Sequence, residues 1–378
     1  MKQIIVENLT NMGEAKKLVS FISKDILSFD IDEDKIILNI NDDSDEEEIR
    51  RKANKIFKQH LEGSSRLAEV VVFENKESKE YTSKDEIYMS DFVHEFGEGL
   101  LSIQNDGVLL LKYFNDEFMK MALKLGAIEK IYPVLLPMNI LKKTGYIRTS
   151  PQYLTFCSSS EEDTEKLNSI NRKVNNREPL KTILEEPRLA LSPSACFSVY
   201  MDLKDKEVDE PKVYTICQDV FRNEGRFNWD DFARLRNYTL REFVFVGDME
   251  FIKEKRIQSL EMVKEFVKKL NLDSRVCITY DPFVMPSMQK FKEIQISEET
   301  KFELQLSYSN DKNLAVASFN IHGDAFTTPF NIKVKNVSNP VTGCVGFGME
   351  RWVLAFLAQY GLNRANWPDC IKKYIEER

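Results

Sequence analysis

Residues 342 to 352 read Thr-Gly-Cys-Val-Gly-Phe-Gly-Met-Glu-Arg-Trp. Three glycines, Gly343, Gly346 and Gly348, stand before a run whose apolar positions recur at helical spacing: Met349, Trp352, Val353, Phe356, Leu357 and Tyr360, with Gly361 to stop it. Glycines at such a junction let the backbone approach a ligand, and Arg351 adds positive charge in the first turn, where a helix N-terminus already favours an anion. The stretch therefore predicts a phosphate-binding turn from strand to helix. A glycine-rich packing turn is the alternative it leaves open on its own.

Upstream, Phe221-Arg222-Asn223-Glu224 closes a β-like stretch, a polar loop leads to Arg234, and a second stretch runs from Tyr238 through Glu242. Arg234, Tyr238 and Glu242 are separated by even numbers of residues, so on a regular strand they project to one side, with Arg222 and Glu224 joining from the neighbouring strand. Guanidinium groups for phosphate, a ring for a base and carboxylates on one face suit a bent nucleoside triphosphate. An exposed, salt-bridged sheet face is the alternative for this segment alone. Further β-like stretches fall at 213–221, 239–246, 302–308 and 314–321. Leu110, Leu111, Phe114, Phe118, Met121 and Leu125 mark one face of a long helix ending near Gly126. In the segment 128–137 that follows, Pro133 and Pro137 forbid helix and suit an edge strand. The economical architecture is α+β, an antiparallel sheet with helices on one side.

A chain of 378 residues has room for one large domain and a smaller appendage. Residues 1–75 alternate strand and helix patterns: a strand at 3–6, a helix at 15–26, a strand at 35–40, a helix at 45–60 and a strand at 68–73. The carboxylates of 41–48 read as the start of the second helix, whose apolar face is Ile49, Ala53, Ile56 and Phe57; a disordered acidic tract is the rival reading. The predicted division is a small α/β N-terminal domain at 1–75, a polar linker at 76–90 and a catalytic domain at 91–378. Eleven basic against sixteen acidic side chains make residues 1–75 a poor phosphate binder, and a net charge of −8 argues against a broad nucleic-acid surface, although a local basic groove is compatible with it. No apolar run approaches the roughly 20 residues of a membrane span, and the first residues lack a signal-peptide core, so no membrane association and a cytoplasmic location are expected. The cysteines at 157, 196, 217, 277, 344 and 370 are dispersed, which favours metal ligation or burial over disulfides.

Taken together these segments resemble the class II aminoacyl-tRNA synthetases. Phe-Arg-Asn-Glu with Arg234 and Tyr238 matches the family's second motif, Gly-Phe-Gly-Met-Glu-Arg its third, and 131–137 after a long helix its first, through which two copies pair, so a homodimer is implied. A closer resemblance is to the zinc-dependent seryl-tRNA synthetases of methanogens and their truncated relatives, the amino acid:[carrier protein] ligases. It is carried by SPSACFSVY (192–200), RLRNYTLREFVFVG (234–247), ASFNIHGDAF (317–326) and TGCVGFGMERW (342–352). In those relatives two cysteines and a glutamate hold zinc, and the matching positions here are Cys196, Glu242 and Cys344. Three such ligands leave a fourth tetrahedral position open; the resemblance fills it with the α-amino group of the substrate. One departure is Ser198, where relatives commonly carry histidine. His322 has no identified partner and reads as structural.

The implied reaction joins a small amino acid (glycine, alanine or serine) to AMP at the expense of ATP, with Mg²⁺ bridging phosphates and Zn²⁺ testing for the amine. Arg222 is expected on the α-phosphate and carboxylate, Arg234 and Arg351 toward the γ-phosphate, Glu224 beside them and Tyr238 against adenine. Glu303 is either a carboxylate near magnesium or a solvated strand residue. The favoured acceptor is the phosphopantetheine thiol of a carrier protein, because residues outside the core are few, net acidic and without a long heptad arm, which makes tRNA an unsuitable partner. Charging of tRNA by a compact seryl-type synthetase is the alternative, and a non-catalytic scaffold on the same fold is a third reading.

Overall fold

A computed structural model of the chain describes all residues except 1, 10, 62–68 and 230. The first elements are β1 (Lys2–Val6), α1 (Met12–Val19), β2 (Ile26–Asp32), β3 (Lys35–Ile40) and α2 (Glu46–Leu61). They make an antiparallel sheet of order β1-β3-β2 backed by two helices. Its core joins Ile4, Ile36, Leu38 and Ile40 to Leu18, Ile49, Ala53 and Phe57. Glu46, Glu47 and Glu48 occupy the first turn of α2, where the helix dipole favours them. The helix expected at 15–26 stops earlier, at Val19, since from Leu27 to Asp32 apolar and polar residues alternate with the period of a strand, and β3 is there to pair with it.

The elements that position the site follow: β4 (Val70–Asn75), α3 (Asp106–Lys124), β5 (Ile128–Lys130), α4 (Cys196–Asp202), β6 (Lys212–Phe221), β7 (Asn237–Gly247), α5 (Met249–Lys269), β8 (Ser274–Ile278), β9 (Lys301–Ser307), β10 (Asn313–Gly323), β11 (Val341–Gly348) and α6 (Met349–Tyr360). Eight strands form one sheet in the order β4-β8-β9-β10-β11-β7-β6-β5. Every pairing is antiparallel except that of β6 with β5. This is the expected α+β architecture, an antiparallel sheet flanked by helices. The strand expected at 68–73 within the first unit pairs as β4 with β8, on the edge of the large sheet; Ala68, its expected start, lies outside the described residues. The polar tract after it is tied to the large domain, Thr82 N–H donating to Ala358 O at 2.8 Å and Tyr81 OH to Asp273 Oδ2 at 2.6 Å.

Alternation along the strands sorts side chains between two faces. Phe243, Phe245, Phe319, Val345 and Phe347 belong to the core packed by α3, α5 and α6. The Phe118 ring stacks on Phe347 at 4.2 Å and meets Trp352 at 5.0 Å. Each ring so buried stabilises the sheet by about 2–3 kcal/mol. Arg241 is on this face too, donating to Asn115 Oδ1 at 2.9 Å and paired with Glu129 at 3.0 Å, which ties β7 to α3 and to the strand edge at β5. Ile128 and Ile131 on that edge are exposed. On the opposite face a second core gathers Ile216, Val220, Leu240, Val244 and Val246 with Phe197, Val199 and Tyr200 of α4. Among the described residues no helix is long and apolar enough to cross a membrane.

Candidate active site

A cleft of ≈ 1310 Å³ opens beside this second core, and every residue singled out above as a candidate ligand of ATP or metal lines it. At one end, β7 and β11 run antiparallel with Val244 opposite Cys344 and Glu242 opposite Gly346, so Glu242 and Cys344 are diagonal neighbours on one face. Cys196, the first residue of α4, closes over them, its N–H donating to Glu242 Oε2 at 2.8 Å. The two sulfurs and a carboxylate oxygen lie within 4.8 Å of one another and all three residues are buried. With Zn–S near 2.3 Å and Zn–O near 2.1 Å, tetrahedral ligand atoms stand roughly 3.5–3.8 Å apart, so this spacing admits one ion.

The chemistry of the donors points the same way. Burial pushes the Cys196 thiol and the Glu242 carboxyl up, and its hydrogen bond with Cys196, then burial, push Cys344 well above the ordinary thiol range. Three acidic groups crowded into a dry corner are a donor set that a divalent cation relieves. His322, expected to be structural, has Nε2 3.5 Å from Cys344 Sγ and Nδ1 3.3 Å from Thr342 Oγ1. Burial holds it neutral, its pKa down to about 4, which suits a group that orients a neighbouring ligand. Ser198 is fully buried, and among the described residues its Oγ has no hydrogen-bond partner.

At the other end sit the arginines. β6 ends at Phe221 and β7 begins at Asn237, so Arg222, Glu224 and Arg234 lie in the intervening loop and not on a strand face. Strand alternation accounts only for Tyr238 and Glu242; the loop folds back to deliver the others. Arg222 Nε donates to Pro193 O at 3.0 Å, and Arg351 donates to Ala233 O and Ala315 O, both at 3.2 Å. Their guanidinium carbons stand 5.9 and 5.8 Å from the centre of the Tyr238 ring. Among the described residues neither is paired with a carboxylate, whereas Arg234 bonds Glu224 Oε2 at 3.0 Å. Burial lowers the Arg351 pKa, with Arg234 and Arg222 adding to the effect over the opposing pull of Tyr238 and Glu224; an anion in the cleft would reverse it.

The glycines divide. A Cβ at Gly343 would lie 2.6 Å from Ile252 and 2.8 Å from the Asn320 carbonyl oxygen, so this residue is there for packing; Gly346 and Gly348 face the cleft. Glu303 is half-buried, its Oε1 3.1 Å from Lys301 Nζ, which also bonds Asp281 Oδ1 at 2.5 Å. It is therefore no solvated strand residue. Sequence reasoning did not single out Lys301, Asp281, Ser318, Asn320, Tyr146 or Tyr153, all of which line the cleft. Period two could have found Lys301 with Glu303, and Ser318 with Asn320, alternating with Phe302, Ala317 and Phe319. Tyr146 opens the one-turn helix Tyr146–Thr149 and Tyr153 ends the 3-10 turn Pro151–Tyr153, elements too short to show a period.

This sheet, with an arginine-bearing loop between two of its strands and a glycine-rich strand-to-helix turn across the cleft, is the class II aminoacyl-tRNA synthetase fold. No protein-family model matches the chain. It is 30% identical over 265 residues to the type-2 serine–tRNA ligase of Methanococcus maripaludis strain C7, covering 67% of this chain and 51% of that protein. It is 29% identical over 286 residues to the type-2 serine–tRNA ligase of Methanococcus aeolicus, covering 71% and 54%. The M. kandleri SerRS solved in complex with A. aeolicus tRNASec superposes with a TM-score of 0.73 at 22% identity, over 99% of this chain and 77% of that one. The chain is thus a relative of the methanogen type-2 seryl-tRNA ligases, and it spans about half the length of the curated relatives it matches.

These findings overturn the expectation of a carrier-protein acceptor and of tRNA as an unsuitable partner. The relatives are named serine–tRNA ligases, and the M. kandleri structure holds a tRNA. The inference failed because it took a short, acidic N-terminal region as evidence about the acceptor. The matched segment spans about half of the relatives' length, and the size and charge of what lies outside it do not decide an acceptor. Nor does the net charge of one unit describe the cleft, where Arg222, Arg234 and Arg351 converge.

Proposed function

We propose that this chain activates a small amino acid, serine foremost, with ATP and transfers it to the 3′ end of a tRNA. The observation that carries the reading is the polarity of the cleft: Arg222 and Arg351, free of carboxylate partners among the described residues, face one end, and Cys196, Glu242 and Cys344 converge at the other. An amino acid lying between them presents its amine to the trio and its carboxylate to Arg222. A carboxylate oxygen attacks the α-phosphorus, the bond to the bridging oxygen breaks, and pyrophosphate leaves with the electron pair. The terminal ribose hydroxyl of the tRNA then attacks the carbonyl and AMP departs. The protein's contribution is placement and fixed positive charge, made without reorganisation at the moment of reaction. Zinc held by Cys196, Glu242 and Cys344 would supply a fourth coordination position selective for an unprotonated amine. Magnesium would shield the phosphates, with Glu303 as a candidate carboxylate in the cleft lining. Pairing of two copies falls along residues 123–135, from the last turn of α3 past β5, where Leu123, Ile128, Ile131 and Leu135 are apolar and exposed.

The test is amino-acid-dependent exchange of pyrophosphate into ATP, followed by transfer to tRNA. Serine-dependent exchange with charged tRNA is the expected result. Exchange without any charging of tRNA removes the acceptor from the proposal, and no exchange with serine, glycine or alanine removes the reaction. Tyr238→Ala is expected to raise KM for ATP about ten-fold by removing the ring beside which the Arg222 and Arg351 guanidinium groups lie, leaving the KM for serine within about two-fold. An unchanged ATP dependence takes Tyr238 out of the nucleotide site.

A further inference from the structure

The described residues of 2–61 contribute no strand to the large sheet, yet they grip the cleft from both sides. On one side they hold the loop that delivers Arg222, Glu224 and Arg234. Arg226 donates to Lys24 O at 2.9 Å, Ser23 O at 2.6 Å and Ile26 O at 2.7 Å, filling the turn between α1 and β2. Phe227 N–H donates to Ser20 Oγ at 3.0 Å, and its ring meets Phe29 edge-on at 5.5 Å. Gly225, at φ +89°, lies so close that a Cβ there would stand 2.8 Å from Ser20, so only glycine fits. Asn228 Nδ2 spans the seam, donating to Glu224 O at 2.8 Å and Lys17 O at 3.3 Å.

On the other side the same unit holds the segment after β8, which carries Asp281 into the cleft. His60 of α2 has Nε2 2.6 Å from Val284 O. Phe227 from one wall and Val284 from the other both pack against the core of the N-terminal unit. Two walls more than fifty positions apart in sequence are thus pinned to one small rigid body, whose Glu14 and Lys17 reach the mouth of the cleft.

We infer that the N-terminal unit is a strap that fixes the loop 222–236 against the wall at 281–288, and that Arg226 is a positioning residue for ATP although it points away from the site. A surface loop without such anchorage samples many conformations, and each arginine it carries must then be ordered by ATP itself. Held by the strap, the loop presents Glu224 and Arg234 ready-placed. The activity readout of this inference rests on the proposed adenylation.

In ATP–pyrophosphate exchange, Arg226→Ala is expected to raise KM for ATP about ten-fold, with kcat and the KM for serine within about two-fold. Arg226→Lys, able to reach one carbonyl, should recover part of that loss. Arg50→Ala, which removes the exposed Arg50–Glu46 pair and a 3.4 Å bond to Ile5 O within the N-terminal unit but no bond to the loop 222–236, should leave the kinetics unchanged. An Arg226→Ala variant with wild-type KM for ATP overturns the strap. So does one that impairs only transfer to tRNA, because the unit then serves the acceptor. Amide hydrogen–deuterium exchange of the full-length protein without nucleotide decides independently of activity. Protection of 222–236 in the wild type, lost in Arg226→Ala, supports the strap, and equal rates in both reject it. Failure of the wild type to activate any amino acid rejects the adenylation reading and leaves the strap to that comparison.

Discussion

Replacing Cys344 with alanine is expected to remove zinc from the purified protein and to lower amino-acid-dependent pyrophosphate exchange by about 100-fold or more. Cys344 is 4% exposed and sits where three strands meet: opposite Val244 of β7, opposite Asn320 of β10, and diagonal to Glu242. Without its sulfur, Cys196 and Glu242 offer two ligands, too few for a tetrahedral ion to prefer the site to water. The change in bulk is one sulfur atom in a well-packed core, so the fold should survive and thermal unfolding should remain cooperative. Metal analysis of the wild type, of Cys344→Ala and of a Cys196→Ala, Cys344→Ala double variant separates the outcomes. Equal zinc in all three would sink the metal assignment whatever the kinetics. Cys157→Ala, on the short strand Phe156–Cys157 and outside the cleft lining, should keep both metal and activity.

Arg351→Ala is expected to do the reverse: zinc stays, and KM for ATP rises about 10- to 100-fold, the range for losing a charged hydrogen-bonding partner of a phosphate. Arg351 also donates to Ala233 O and Ala315 O, so the substitution leaves two carbonyls to water and a modest fall in Tm is expected alongside. Arg351→Lys tells the two effects apart. It keeps the charge but not the planar fork, so it should restore less ATP affinity than charge alone would give. Unchanged ATP dependence in Arg351→Ala would assign the residue to the fold and not to the nucleotide.

The two predictions rest on features that were legible to different degrees. The helix from Met349 to Tyr360 follows from its apolar spacing and from Gly361, and the trio Cys196, Glu242 and Cys344 from the match of motif segments to a known family. The N-terminal helix that stops at Val19 was misjudged, because an apolar run through Ile26 fits a helix until a strand is available to pair with it. Even spacing puts Arg234 in phase with Tyr238 and Glu242, but β7 begins only at Asn237, so the loop before it and not the strand delivers Arg234. The acceptor was misread because it is a property of a partner, and size and net charge do not encode which nucleophile reaches an adenylate.

The sequence by itself determined what local physics can write: period-two strands, the apolar faces of the long helices, the glycines before α6, and the kinds of donor at the site. Those signals survive because backbone geometry and burial of apolar side chains act within a few residues of one another. Only the tertiary structure decided which glycine packs and which faces the cleft, that His322 rests against Cys344, that Lys301 joins Asp281 and Glu303, and that Arg226 and Val284 tie distant walls to one N-terminal unit. Those are relations between segments far apart in the chain, set by which strands pair and in what register, and no spacing within a single segment contains them.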